Sequence, residues 1–134
     1  ADRPAVDAAL AGITAAQFTR LDLGIAAARA ELAGPRRRPG NLAVMVVLTD
    51  GRANPVPVAV AEAEAQKAKA AGMVLFTIGL GADLEEDALQ RMASRPEYFY
   101  KAPDAESLTE IYRRIAVAVP CPGGSFWGRG ADGP

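Results

Sequence analysis

An α/β chain, with a parallel sheet carrying helices on both faces, is the fold class this sequence predicts. Three observations predict it. Two unbroken apolar runs, Leu42–Leu48 and Met73–Leu80, are bounded by turn residues, as in strands buried on both faces of a parallel sheet. Segments with helical apolar spacing precede, separate and follow them, and that alternation implies right-handed crossovers between parallel strands. Each run ends in a sharp break, Thr49-Asp50-Gly51 and Gly79-Leu80-Gly81. The polar break at Asp50 thus falls at a strand's carboxyl end, where open α/β sheets collect their ligand groups.

The elements follow in order. Residues Ala1 to Ala16 predict a helix with Asp2 or Arg3 as its cap, Pro4 in its first turn and a stripe of Val6, Leu10 and Ile13. A second helix places Leu21, Ile25, Ala28 and Leu32 on one face. Thr19 and Asp22 stand at capping-box spacing ahead of it, and Gly34-Pro35 ends it. Arg36-Arg37-Arg38 lies between two prolines and reads as a solvated loop. After the strand at Leu42–Leu48, a helix over about Val56 to Ala71 is rich in strong helix formers and stops at Gly72. Its Glu62, Glu64, Lys67 and Lys69 predict a solvated face. Asp83 is the expected cap of the next helix, which buries Leu84, Ala88, Leu89 and Met92 and is broken by Pro96. Glu97 to Lys101 predicts a short third strand near a sheet edge, and Asp104 caps a last helix lined by Leu108, Ile111, Tyr112 and Ile115. From Pro120 to Pro134 the composition turns to Gly, Pro and single aromatics, which predicts a flexible tail. The domain organisation is therefore one unit over 1–119 and a tail over 120–134.

Composition narrows the function. With 134 residues, half of them apolar, the chain suits one domain with a real core. A formal net charge of -1 points neither to nucleic acid nor to an anionic membrane surface. The absence of histidine removes the commonest general base and the commonest transition-metal ligand. Cys121 is the only cysteine, so no internal disulfide and no Cys/His nucleophilic pair exist. No apolar run is long enough to span a membrane. The chain opens on Ala1 rather than Met, as a processed product or a fragment does.

Gly79-Leu80-Gly81 after a strand has two glycines of a dinucleotide-binding turn, but Leu84 stands where the third is needed. No phosphate-binding Gly-Lys-Ser/Thr loop occurs, and Asp50 has no visible partners for hydrolysis. These residues do not point to an enzyme.

Three segments carry a resemblance: Thr19-Arg20-Leu21-Asp22-Leu23-Gly24-Ile25, Val46-Val47-Leu48-Thr49-Asp50-Gly51 and Phe76-Thr77-Ile78-Gly79-Leu80-Gly81. With Tyr98-Phe99-Tyr100-Lys101-Ala102 and its following helix, the chain over about 2–118 is similar to the von Willebrand factor type A domain of bacterial type. The resemblance implies a three-layer, Rossmann-like sheet with a magnesium or manganese ion at its carboxyl edge, in a metal-ion-dependent adhesion site. Thr19 matches the family's second-loop threonine and Asp50 its third-loop aspartate. Oxygen donors of these types suit hard divalent cations. The ion's open position then takes an acidic side chain of a protein ligand, and no reaction is catalysed.

One departure bears on the site. The family's first loop, Asp-x-Ser-x-Ser, is missing, since the only serines are Ser94, Ser107 and Ser125. The chain thus reads as an N-terminally truncated domain, with Thr19 and Asp50 supplying part of a shell and holding magnesium or manganese weakly or not at all. The strand at 42–48 would then be an unpaired apolar edge prone to self-association. Two further readings follow from the family: a chelatase- or ATPase-associated subunit, and a structural remnant without metal. The resemblance also makes a secreted or cell-surface location an expectation.

Overall fold

The structure, a computed structural model, describes residues 2–14 and 18–119. The tail expected at 120–134, with Cys121, Phe126 and Trp127, lies outside the described residues. Helices α1 (Arg3–Ala11) and α2 (Leu21–Ala33) precede strand β1 (Val44–Thr49). Helix α3 (Val58–Ala70), strand β2 (Val74–Leu80), helix α4 (Glu86–Met92), strand β3 (Phe99–Ala102) and helix α5 (Leu108–Ala118) follow in alternation. A short 3-10 turn, Pro96–Tyr98, leads into β3.

The strands pair in parallel in the order β1-β2-β3, so β2 is central and β1 is an edge. Val44 faces Val74 and Thr49 faces Gly79 on one side of β2; Thr77 faces Phe99 and Leu80 faces Ala102 on the other. This register aligns the carboxyl ends of β1 and β2.

Two cores make the three layers. On one face, Met45, Val47 and Leu75 pack with Ile25 of α2, the small stripe Ala61, Ala65 and Ala68 of α3, and Leu89 and Met92 of α4. The alanines recur at helical spacing, so α3 approaches its neighbours closely with little side-chain entropy lost on burial. On the other face, Phe76, Ile78 and Ala102 pack with Ile111 and Ile115 of α5, and Tyr98 stacks on Phe76 at 4.3 Å between ring centroids.

Several local readings change. The strand expected to be buried on both faces is buried on one: Val46 and Leu48 are 36% and 43% exposed, and Val44 alone of this strand packs against the core on that face. Asp2 does cap α1, accepting the Ala5 amide, yet no residue of that helix is buried. The Thr19–Asp22 capping box does not form: Arg20 occupies the N-cap of α2, and its guanidinium binds Asp22 with two hydrogen bonds of 2.9 and 2.7 Å. Asp83 does not cap α4, which begins three residues later. The charges of α3 are not a purely solvated face, since Glu62 binds Arg91, Glu64 binds Arg29, and Lys69 donates to the Arg91 and Ala93 carbonyls closing α4. Asp104 closes the turn before α5 by accepting the Ser107 amide and hydroxyl at 3.0 and 2.8 Å. Arg36 pairs with Glu31 in the solvated arginine loop.

Candidate functional site

The carboxyl end of β1 is built by its last residue. Thr49 is 6% exposed, so its hydroxyl needs partners inside the fold. It donates to the Gly51 carbonyl at 3.0 Å and accepts the Gly51 amide at 3.4 Å. This local loop folds the chain over at Asp50 and leaves that aspartate exposed at the sheet edge.

The segment after Asp50 is tied to its neighbours on two sides. The Asn54 amide donates to the Thr19 carbonyl at 3.1 Å, joining the loop ahead of α2 to the loop after β1. The Ala53 amide donates to Glu85 Oε2 at 3.1 Å, and Arg52 Nε donates to Asp83 Oδ1 at 2.8 Å. The peptide bond from Asn54 to Pro55 is cis. Both sequence-predicted site residues thus sit on loops joined by a backbone hydrogen bond.

Arg20 follows Thr19 directly. Its bidentate bond draws the Asp22 carboxyl below its ordinary pKa, and Asp22 in turn raises the arginine's. Asp22 is only 9% exposed, so this pair satisfies a carboxylate that has left bulk water. Arg20 also lines an apolar cleft of about 300 Å³ between α2 and the free edge of β1, together with Gly24, Ile25, Val46 and Leu48.

Thr77 and Gly79, both in the second apolar run, are structural. Thr77 is fully buried and donates to the Leu89 carbonyl at 2.8 Å. A Cβ at Gly79 would lie 2.6 Å from a Leu84 methyl, so glycine here serves the packing of α4's approach against β2. Gly81, at φ +87°, turns the chain out of the strand in the left-handed region that suits glycine.

The candidate donors on the two joined loops, the Thr19 hydroxyl and the Asp50 carboxylate, suit a hard cation in kind. They do not close a shell in number. Among the described residues no group of three histidine, cysteine, aspartate or glutamate side chains could hold a metal. Sequence reasoning missed Glu85 altogether and took Asp83 for a cap. One signal was present: glutamate is a poor N-cap, so a glutamate at the head of a helix invites a search for another partner.

The sequence profile of the von Willebrand factor type A domain matches residues 2–114. Solved structures share the fold at low identity. Proximal thread matrix protein 1 from the mussel byssus, with a zinc-occupied MIDAS motif, aligns with a TM-score of 0.70 and 23% identity over 86% of this chain and 28% of its own. The pilus adhesin SpaC of Lactobacillus rhamnosus GG aligns with a TM-score of 0.70 and 16% identity over 85% and 20%. Manganese-loaded TRAP of Plasmodium vivax aligns with a TM-score of 0.62 and 19% identity over 82% and 44%. The chain therefore spans less than half of each of these proteins. No curated protein matches it in sequence.

Proposed function

The chain belongs to the von Willebrand factor type A domain family, and from that premise we propose that it is a non-catalytic protein-binding module. Thr19 and Asp50 are its contribution to a magnesium or manganese site, and an acidic side chain of the protein partner completes the ion's shell. The observation that carries this reading is the Asn54-to-Thr19 hydrogen bond, which brings the loops bearing the two oxygen donors together at the carboxyl edge of the sheet. A matrix protein with zinc in its MIDAS motif, a manganese-loaded protein and a pilus adhesin among the structural neighbours support it, as does the exposure of Asp50. They also support secretion or surface display; no helix among the described residues is long and apolar enough to cross a membrane.

Two protein ligands hold such an ion weakly. For a dissociation constant near 1 mM, 10 mM manganese would stabilise the chain by about 1.4 kcal/mol through mass action. Thermal melts of the full chain with manganese test this. A rise in Tm that Asp50→Asn abolishes is the expected outcome. No rise, or a rise that Asp50→Asn leaves intact, overturns the metal reading in favour of a structural domain without metal.

Self-association is the second part of the reading. Val46 and Leu48 are exposed on an edge strand whose six residues include no charge and no proline, the usual guards against edge pairing. A second copy of the chain is the expected partner there.

A further inference from the structure

We infer that Glu85 is a positioning residue for the Asp50 loop, held at the head of α4 to fix the backbone that presents Asp50. The inference rests on the reading of Asp50 as a metal ligand and goes beyond it to a residue on another element. Glu85 stands at the N-cap of α4, yet its side chain makes no capping bond to that helix. It accepts instead the amide of Ala53, 32 residues away in sequence, at 3.1 Å in a half-buried setting.

The placement matters because of what else holds this loop. Thr49 closes it at the near end through Gly51, and Thr19 accepts the Asn54 amide at the far end. The consecutive amides of Ala53 and Asn54 therefore go to two different anchors, one carboxylate and one carbonyl. Removing the carboxylate leaves the segment from Asp50 to Asn54 held by Thr49 at its near end and Thr19 at its far end, with only the Arg52–Asp83 pair still reaching toward α4. The exposed Arg52–Asp83 pair adds little rigidity of its own, since both side chains are open to water. It does engage the guanidinium two residues from Asp50, the nearest cation in sequence to the proposed ligand. A carboxylate accepting a backbone amide is a stronger tie than a neutral acceptor, and it spans α4 and the site loop.

Amide hydrogen exchange by NMR on the full chain tests the role. In Glu85→Ala, exchange at Ala53 is expected to rise about tenfold, the loss of one hydrogen bond. Exchange at Val74, whose amide bonds the Ala43 carbonyl beside the sheet at 2.9 Å, should stay as in the wild type. Glu85→Gln keeps an oxygen acceptor and should restore most of the protection. In parallel, Asp50-dependent manganese binding, read by water-proton relaxation, should weaken several-fold in Glu85→Ala and recover in Glu85→Gln. Unchanged exchange at Ala53 overturns the inference. So does an equal rise at Ala53 and Val74, which would make Glu85 a general stabiliser, and so does manganese binding that ignores a loosened loop. If the wild type shows no Asp50-dependent manganese signal while Ala53 responds alone, the metal reading fails and the tie from Glu85 to the loop stands.

Discussion

Strands β1 and β2 come from similar apolar runs and end in different environments. In β2, Leu75, Phe76, Thr77 and Ile78 are all fully buried, between α3 and α4 on one side and α5 on the other. In β1, burial alternates: Met45 and Val47 face the α2–α3 layer, while Val46 and Leu48 look out on the side that α5 leaves open. Val46 and Phe76 are direct neighbours across the ladder, and only Phe76 has α5 and Tyr98 above it. Composition made both strands; layer coverage made one of them a core and the other a surface. The site loop hangs from the less covered strand, so its geometry depends on ties to Thr19 and Glu85 rather than on the sheet alone.

Substitution at paired positions offers the strongest attempt to break this contrast. Phe76→Ala is expected to cost about 3–5 kcal/mol, whereas Leu48→Ala should cost under about 1 kcal/mol. Urea denaturation of both variants measures the gap, and similar costs would mean that the outer face of β1 is covered after all. Next in size is Thr77→Val. It removes one of the two donors to the Leu89 carbonyl, which keeps the Ala93 amide, for a loss of about 0.5–1.5 kcal/mol by the same assay. Val46→Lys sharpens the comparison from the other side. Its stability should stay within about 0.5 kcal/mol of the parent, while sedimentation velocity should show the loss of self-association through strand 42–48. A parent chain that sediments as a clean monomer would sink that expectation.

The smallest effect concerns pH. Arg20 holds the Asp22 carboxyl below its ordinary pKa, so the folded state favours the ionised form. That stabilisation is complete above the unfolded value of about 3.9 and fades as pH falls through the lower folded value. Melts of the parent chain should therefore show a steeper drop in Tm below about pH 4 than Asp22→Asn does, the drop that both share coming from Glu31, Glu62, Glu64 and Asp104, whose carboxyls are also lowered. Parallel curves for the two proteins would show that the pair is not coupled to folding.

Much of this architecture was legible in the residues. The order of helices and strands follows from two continuous apolar runs, helical spacing and Gly/Pro punctuation, and each observed element falls within or near its expected span. Thr19 and Asp50 stood out in the residues as candidates because a family pattern matches both and a strand ends at Asp50. Glu85 was not, because its partner is a backbone amide that carries no side-chain signal. Asp83 and Thr19 were misread as caps for a related reason. Capping chemistry is local and can be read from spacing, whereas Arg52 reaching Asp83 depends on two loops meeting at one sheet edge.

The sequence by itself determined the parallel α/β alternation, the run of strong helix formers that makes α3, and the chemistry available at the end of β1. Periodicity and residue type are local properties of the chain, so they survive without coordinates. Only the tertiary structure decided which face of β1 is covered, which carboxylate binds which arginine, and that the head of α4 reaches the Asp50 loop. Those outcomes depend on where whole helices come to rest on the sheet, and the same apolar run can serve as core or as surface according to what packs above it.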